Sequence, residues 1–454
     1  MKRVVVLLLF ACALQAQHMD NDGSCDVSVA PAATLLLPYF EVEIAAPLRT
    51  TLFTVTNVSS RPQVAHVTLW TDYAYPVLSF NLYLTPYDAQ PINLYDVIAR
   101  GVIAADAGPP GTACARLAKE VPKQLQTDVL LALAIGKNST CTGAAAAPPI
   151  GSNHGTMATG YATIDVVKDC TSTMPASEAY FRDELLFDNV LIGEYETFDP
   201  GTRAAVGGPM VHIRAMPEGG PAGAPAVPTT LPYTFYTRYL GNLAPGFDRR
   251  QPLPSTFAAR FVQGNGTFNT RYKIWREGAR GALPSCVGYL GTNAYTDTPT
   301  QTTAGNSFLP FTEVMRWDEH GNAFDYGGQV VFCPPVIHTL VLPSASSTLT
   351  TNDVYPSFAG LTNDSAGWMY LNLDTRLVEG PPRPSQSWVI VSMSLPGLYE
   401  VDFDAAWMGN GCTPARPLSE MSLNGHVSPA GGVPVCPPNS PLCKPGVAPY
   451  TGRN

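Results

Sequence analysis

Charge is scarce in this 454-residue chain: Asp, Glu, Lys and Arg make up 14% of it, well below the ~25% usual for a soluble domain. The charge it has leans acidic, with 36 Asp and Glu against 27 Lys and Arg and a formal net charge of −9. A surface so poor in cations excludes a nucleic-acid phosphate backbone as the partner. Long apolar runs are missing beyond the N-terminus. The longest tempting one, Val129 to Ile135, falls far short of the ~20 residues that cross a bilayer as a helix, so the mature chain is not expected to span a membrane. Catalytic signatures are absent too. There is no HExxH, no G-x-S-x-G elbow and no glycine-rich phosphate loop after a strand, which removes the motif support for zinc peptidases, elbow hydrolases and nucleotide-binding α/β folds. No CxxC and no Cys/His group at zinc-finger spacing occurs. The sequence points to no cofactor beyond a candidate calcium ion.

What is present fits an exported β protein. Apolar residues make up 45% of the chain, enough for a sizeable core, and 43 Pro with 39 Gly supply the many turns that short strands need. Lys2-Arg3, the apolar run Val4 to Ala11 and small residues up to Ala16 read as a signal peptide over residues 1–16, cleaved after Ala13 or Ala16. An alternative makes Leu9 to Cys12 a lipobox with Cys12 as a lipid anchor, although Phe10 is unusual at its second position. Either way the chain is expected outside the cytoplasm, secreted or associated with the cell envelope.

Nine of the ten cysteines follow Cys12, and in an oxidising compartment the default is disulfides. An odd number leaves one thiol free or paired with another chain. Spacing leaves the connectivity open; taking local pairs first gives Cys114–Cys141, Cys286–Cys333 and Cys436–Cys443.

Strand signals dominate the pass along the chain. Thr50 to Thr56 alternates and is β-branched, Asn57 to Pro62 punctuates it as a turn, and Val64 to Trp70 and Leu78 to Leu84 follow as strands. Leu117, Val121, Leu125, Val129 and Leu133 recur at helical spacing, broken by Pro122, so residues 114–141 read as a helical insertion. Strand patterns resume at Gly160 to Val166, Val190 to Tyr195 and Pro209 to Arg214. Residues 217–232 (PEGGPAGAPAVPTTLP) read as a linker. Beyond it Thr256 precedes Trp275 by the same nineteen residues that separate Thr51 from Trp70, and Gly367-Trp368 answers to Gly160-Tyr161. This shared offset of about 205–207 predicts a duplicated β-domain. The expected architecture is all-β: two antiparallel, immunoglobulin-like β-sandwiches over residues 26–216 and 233–411, with a Pro-rich, disulfide-containing tail over 412–454.

Candidate chemistry is sparse. Acidic pairs at i, i+2 occur in three predicted strands: Glu41/Glu43, Glu194/Glu196 and Asp402/Asp404. That spacing sets both carboxylates on one face, about 6.5–7 Å apart, as a surface calcium site or an inverting glycosidase pair would require; a solvated sandwich face is the plainer reading. Asp318, His320 and Asn322 alternate as in a calcium loop, but Gly321 is misplaced and Gln329 stands where a bidentate Glu belongs. A hairpin turn between Thr312–Arg316 and Gln329–Phe332 accounts for them better. His66 sits in a strand beside Val64, Thr68 and Trp70 and reads as a packed histidine. Trp388 and Trp407 read as core, whereas Tyr73, Tyr75 and Tyr87 lie near turns where an exposed ring could stack on a sugar.

The segments Leu36 to Val42, Thr51 to Asn57, His66 to Trp70 and Phe403 to Trp407 resemble uncharacterised secreted bacterial proteins. The resemblance implies export and a β-sandwich and carries no activity or catalytic residue with it. No convergent catalytic set emerges. The leading expectation is therefore a non-enzymatic surface or extracellular protein with a protein or glycan partner. The alternative is a carbohydrate-active protein, a glycan-binding module or a glycoside hydrolase. A third possibility, a subunit of an envelope assembly, would use the odd cysteine or an edge strand.

Overall fold

The computed structural model describes residues 27–137, 150–218, 234–236, 248–262, 269–277, 309–319, 323–325, 331–332, 337–342, 366–375, 386–395 and 398–408, apart from residues 28, 73, 118, 152, 176, 202, 203 and 217. The fold is all-β, with four antiparallel sheets and one α-helix among the described residues. The first nine strands are β1 (Thr34–Glu43), β2 (Thr50–Asn57), β3 (Gln63–Thr71), β4 (Pro76–Leu84), β5 (Ala89–Asn93), β6 (Met157–Val167), β7 (Leu191–Asp199), β8 (Ala204–Pro209) and β9 (Val211–Ile213). They form sheet 1, ordered β4-β3-β6-β1-β9, and sheet 2, ordered β5-β2-β7-β8. The next ten are β10 (Thr256–Val262), β11 (Asn269–Arg276), β12 (Leu309–Asp318), β13 (Ala323–Asp325), β14 (Val331–Phe332), β15 (Ile337–Leu342), β16 (Ala366–Thr375), β17 (Ser387–Leu395), β18 (Tyr399–Asp404) and β19 (Ala406–Trp407). They form sheet 3, ordered β15-β11-β17-β18, and sheet 4, ordered β13-β12-β16-β10-β19, with β14 an extra partner of β12.

The two sandwiches are a tandem repeat, strand for strand. With β14 set aside, replacing β1–β9 by β10, β11, β12, β13, β15, β16, β17, β18 and β19 turns the strand orders of sheets 1 and 2 into those of sheets 4 and 3. The pairing registers agree: Thr34 lies opposite Asp165 as Thr256 lies opposite Asn372, and Trp70 lies opposite Tyr161 as Trp317 lies opposite Trp368. Of the three landmarks in the sequence, Gly160 and Gly367 are therefore equivalent, but Thr51/Thr256 and Trp70/Trp275 are not. The counterpart of Trp70 is Trp317. A strand–turn–strand pattern is generic, so the match at nineteen residues caught neighbouring strands instead of corresponding ones.

Sheet 1 packs against sheet 2 on one face and sheet 3 on the other, sheet 4 backs sheet 3, and the edge strands β8 and β18 of sheets 2 and 3 also adjoin. Phe53 and Val55 of β2 meet Ala65, Val67 and Leu69 of β3 in the first core, while Tyr272, Ile274, Val389 and Val391 meet Phe257, Phe261 and Leu371 in the last. Between sheets 1 and 3 lies a shared core of Leu36, Tyr39, Trp70, Tyr161, Leu253 and Trp275. Sheet 1 is thus covered on both faces, which is why β1 reads as a nearly continuous apolar run, TLLLPYF, instead of alternating. Leu35 and Leu37 face sheet 2; after a bulge at Pro38 and Tyr39 the parity flips, and Phe40 and Val42 take that side. By contrast β2 (TTLFTVTN) alternates strictly, with its outer threonines half-exposed.

The helical insertion resolves into a 3₁₀ turn at Ala113–Arg116 and helix α1 (Lys123–Ile135), started by Pro122 and stopped by left-handed Gly136, φ 65°. Gly136 is required twice over, because a Cβ there would also stand 1.8 Å from the Gly151 carbonyl oxygen. Val129, Ala132 and Leu133 close the open end of the first core. Leu117 and Val121, counted into the helical period, precede the helix.

The disulfide is also not the local one. Cys114 bonds Cys170, just past the end of β6, with Cα atoms 5.1 Å apart. That pair replaces Cys114–Cys141, because β6 returns the chain beside the 3₁₀ turn, a tertiary fact that spacing does not carry. Cys141, Cys286, Cys333, Cys436 and Cys443 lie outside the described residues, as do the signal peptide, most of the linker and the tail. Replacing Cys114 and Cys170 with serine is expected to lower stability by ~2–4 kcal/mol in urea unfolding. Non-reducing peptide mapping should recover the Cys114–Cys170 peptide, and a Cys114–Cys141 peptide in its place would refute the pairing.

Candidate functional site

The outer face of sheet 2 is hollowed into a groove of about 920 Å³ that reaches from β5 across β2 and β7 to β8. Its position follows from strand period. Phe53 and Val55 point into the core, so Leu52, Thr54 and Thr56 point out; on β7, Glu194 and Glu196 point out on the same face and are exposed. Register places Glu194 opposite Thr54 and Pro209, and Glu196 opposite Leu52 and Gly207. Gly207 lets β8 lie close to β7, since a Cβ there would collide with the Tyr195 carbonyl. Asp96 adds a third carboxylate but is held by Arg100 at 2.8 Å. Among the described residues no Lys or Arg lines the groove, although His212 does, and no cation pairs with Glu194 or Glu196.

The other predicted acids serve the junction between the sandwiches. Glu41 is buried: it accepts a hydrogen bond from the Tyr39 hydroxyl (3.0 Å) and lies 3.5 Å from Arg49 and 3.8 Å from Lys273 of β11. Burial raises the Glu41 carboxyl, but Lys273 and Arg49 together outweigh it and hold the group below its ordinary value. Glu43, two residues on and half-buried, receives the Ala45 amide. Asp402 and Glu400 project from β18 towards the same lysine, and Glu400 accepts from the Ser392 hydroxyl at 2.7 Å. Asp402 is therefore part of the countercharge for Lys273, which argues against a calcium ligand. Of Asp404 and Asp318 the structure describes only the strand positions, the ends of β18 and β12. β12 pairs antiparallel with β13, so the strand returns at Ala323–Asp325 and not first at the expected Gln329–Phe332, where Val331 and Phe332 meet only Pro310 and Leu309.

Sequence reasoning missed the strongest polar cluster. Asp165, fully buried on β6, accepts the hydroxyls of Tyr180 and Tyr236, each at 2.7 Å, and that of Thr34 at 2.5 Å. Arg250, also fully buried, donates to Thr34 and lies 3.6 Å from Asp165 and 3.4 Å from Asp248. Burial and the neighbouring Asp165 raise both tyrosines well above their ordinary value, so they stay protonated donors. These residues come from four distant segments, and no spacing could have joined them.

His66 faces the same junction. Its Nδ1 lies 2.9 Å from Asn81 Oδ1, while Nε2 is buried with no hydrogen-bond partner among the described residues. Burial lowers its affinity for a proton, against the opposing pull of Asn81 and Asp165. The unfolded chain protonates this histidine near pH ~6.5 and the folded chain only below that. Stability should be complete above that pH and decline as pH falls towards the folded value. Melting temperatures from pH 7.5 to 5 should drop more steeply for the native chain than for His66→Gln; equal slopes would remove His66 as the cause.

Cys114, Cys170 and Asp169 cluster within 4.8 Å, but the sulfurs are bonded to each other, so no thiolate is left for a metal. Of the aromatic rings, Tyr87 is exposed as expected, and Trp407, expected in the core, is 37% exposed at a sheet edge against Trp388. Trp368 is 46% exposed under Arg260. None of these rings lines the groove. Among the described residues no helix is long and apolar enough to cross a membrane. Comparison of the chain with protein-family models, curated proteins and solved structures gives no match.

Proposed function

We propose that this chain is an exported, non-enzymatic binding protein of the cell surface or exterior, and that it binds through the outer face of sheet 2. One contrast carries the reading. The buried carboxylates Glu41 and Asp165 are matched by cations and hydroxyls inside the fold, whereas Glu194 and Glu196 face an open groove with no described partner. Groups tied into packed networks stabilise; exposed polar groups converging on a concavity are what a binding site offers.

The carbohydrate-active reading comes second. Its support is the i, i+2 spacing of Glu194 and Glu196 within one groove, close to an inverting pair. Glycosidase carboxylates flank the bond from opposite walls, however, and here both stand on one strand. The test is a pull-down of the mature chain, starting after Ala16, on isolated envelopes and insoluble polysaccharides, with calcium or chelator. Retention on envelopes without released sugar is expected. Sugar released into the supernatant would make the protein an enzyme, and retention on a single polysaccharide would make it a glycan binder.

A further inference from the structure

We infer that the groove on sheet 2 takes an extended, cationic peptide segment with Lys or Arg at alternate positions. This rests on the reading of that face as the binding surface and names its ligand. Charge complementarity selects the sign: Glu194 and Glu196 are exposed, Asp96 stands at the margin paired with Arg100, and among the described residues no Lys or Arg lines the groove. The chain's net charge of −9 adds long-range attraction for a basic partner. Spacing selects the conformation. Two residues along β7 advance about 6.6–6.8 Å, the distance between like-facing side chains of any extended chain. A segment lying along β7 can therefore set one cation over each glutamate. The walls select the side chain, because Leu52, Pro91, Ile192 and Pro209 offer apolar surface beside the carboxylates. Lys and Arg present that combination, an apolar stem ending in a charge. A neutral glycan would use neither carboxylate, and of the rings that line the groove Phe53 is buried and Tyr195 half-buried. A lone calcium ion needs six to eight oxygens, more than two glutamates on one strand supply.

The test uses the full mature chain and three fluorescently labelled heptapeptides, acetyl-KTKTKTK-amide and its Glu-for-Lys and Gln-for-Lys counterparts, read by anisotropy at two salt concentrations. The Lys peptide alone should bind, more weakly at high salt. Glu194→Gln with Glu196→Gln should weaken it roughly tenfold, while Glu43→Gln with Asp183→Asn, acids on other surfaces, should leave it unchanged. Thermal melts check that every variant folds. Equal loss in both double variants would mean attraction to an acidic surface in general and would overturn the assignment, as would stoichiometric displacement by calcium. Envelope retention separates the two levels. If Glu194→Gln/Glu196→Gln is still retained, the groove is not the binding face although the protein binds; if the native chain is not retained, the functional reading itself fails.

Discussion

Replacing Arg250 with methionine is expected to destabilise the chain by ~3–5 kcal/mol, the cost of leaving a buried charge uncompensated. Arg250 is fully buried between Asp165 and Asp248, reaches the Leu186 carbonyl at 3.1 Å and donates to Thr34, which in turn donates to Asp165. Methionine fills much of the volume and removes the only charge facing both carboxylates among the described residues. Burial already raises the Asp248 carboxyl, with Arg250 the main opposing influence; without the guanidinium, only the hydrogen bonds from Thr234 and from the backbone amides of residues 236 and 250 are left to oppose it. A carboxyl whose folded value lies above its unfolded one favours folding at low pH and loses that contribution as pH rises. The deficit of Arg250→Met should therefore be smaller at pH 5 than at pH 8. Urea unfolding at both pH values measures it, and adding Asp165→Asn should recover part of the loss, since the two sites are coupled. A cost under ~1 kcal/mol, unchanged with pH, would mean that water reaches Asp165.

The sequence revealed those parts of the molecule that depend on local chemistry. Thr50 to Asn57 alternates because one face of sheet 2 meets solvent, and the same alternation put Glu194 and Glu196 on a single face. It could not show that this face is concave, because the walls come from β5 and β8, whose register is a long-range property. β1 was harder, since burial on both faces removes the alternation and the bulge at Pro38 shifts its phase. The repeat was visible at Gly160 and Gly367 and misaligned elsewhere. Its strands carry little identity, and what they share is an order of pairing. Cys114 went astray for the same reason, its partner being set by the return of β6. The Asp165 cluster lies furthest from view: Thr34, Asp165, Tyr180, Tyr236 and Arg250 are related only through the packing of sheet 1 on its neighbours. The second repeat places Thr256 opposite neutral Asn372 where the first places Thr34 opposite Asp165. The buried carboxylate at this position is thus a feature of one sandwich and not of the other.

That shared junction is expected to make the two sandwiches melt as one unit, and Trp275 is where the coupling can be measured. Its ring, 1% exposed, stacks beside Phe235 at 6.1 Å and meets Tyr161 edge-on at 5.9 Å, and Tyr161 lies flat against Trp70 at 5.8 Å. The chain of rings runs from sheet 1 to sheet 3. Its neighbour in sequence, Ile274, points the opposite way into the last core. Trp275→Ala removes a large side chain from a close-packed site and is expected to cost ~3–5 kcal/mol; Ile274→Ala should cost ~2–5 kcal/mol. The two should differ in kind. Because the apolar outer face of sheet 1 is covered by sheet 3 together with Tyr180, Phe181, Phe235 and Tyr236, the native chain should melt in a single calorimetric transition. Trp275→Ala loosens the interface between sandwiches and should split that transition in two, whereas Ile274→Ala weakens one sandwich and should shift the single peak without dividing it. Two transitions in the native chain would show that the sandwiches fold independently, and the rings between them would then be a contact and not a shared core.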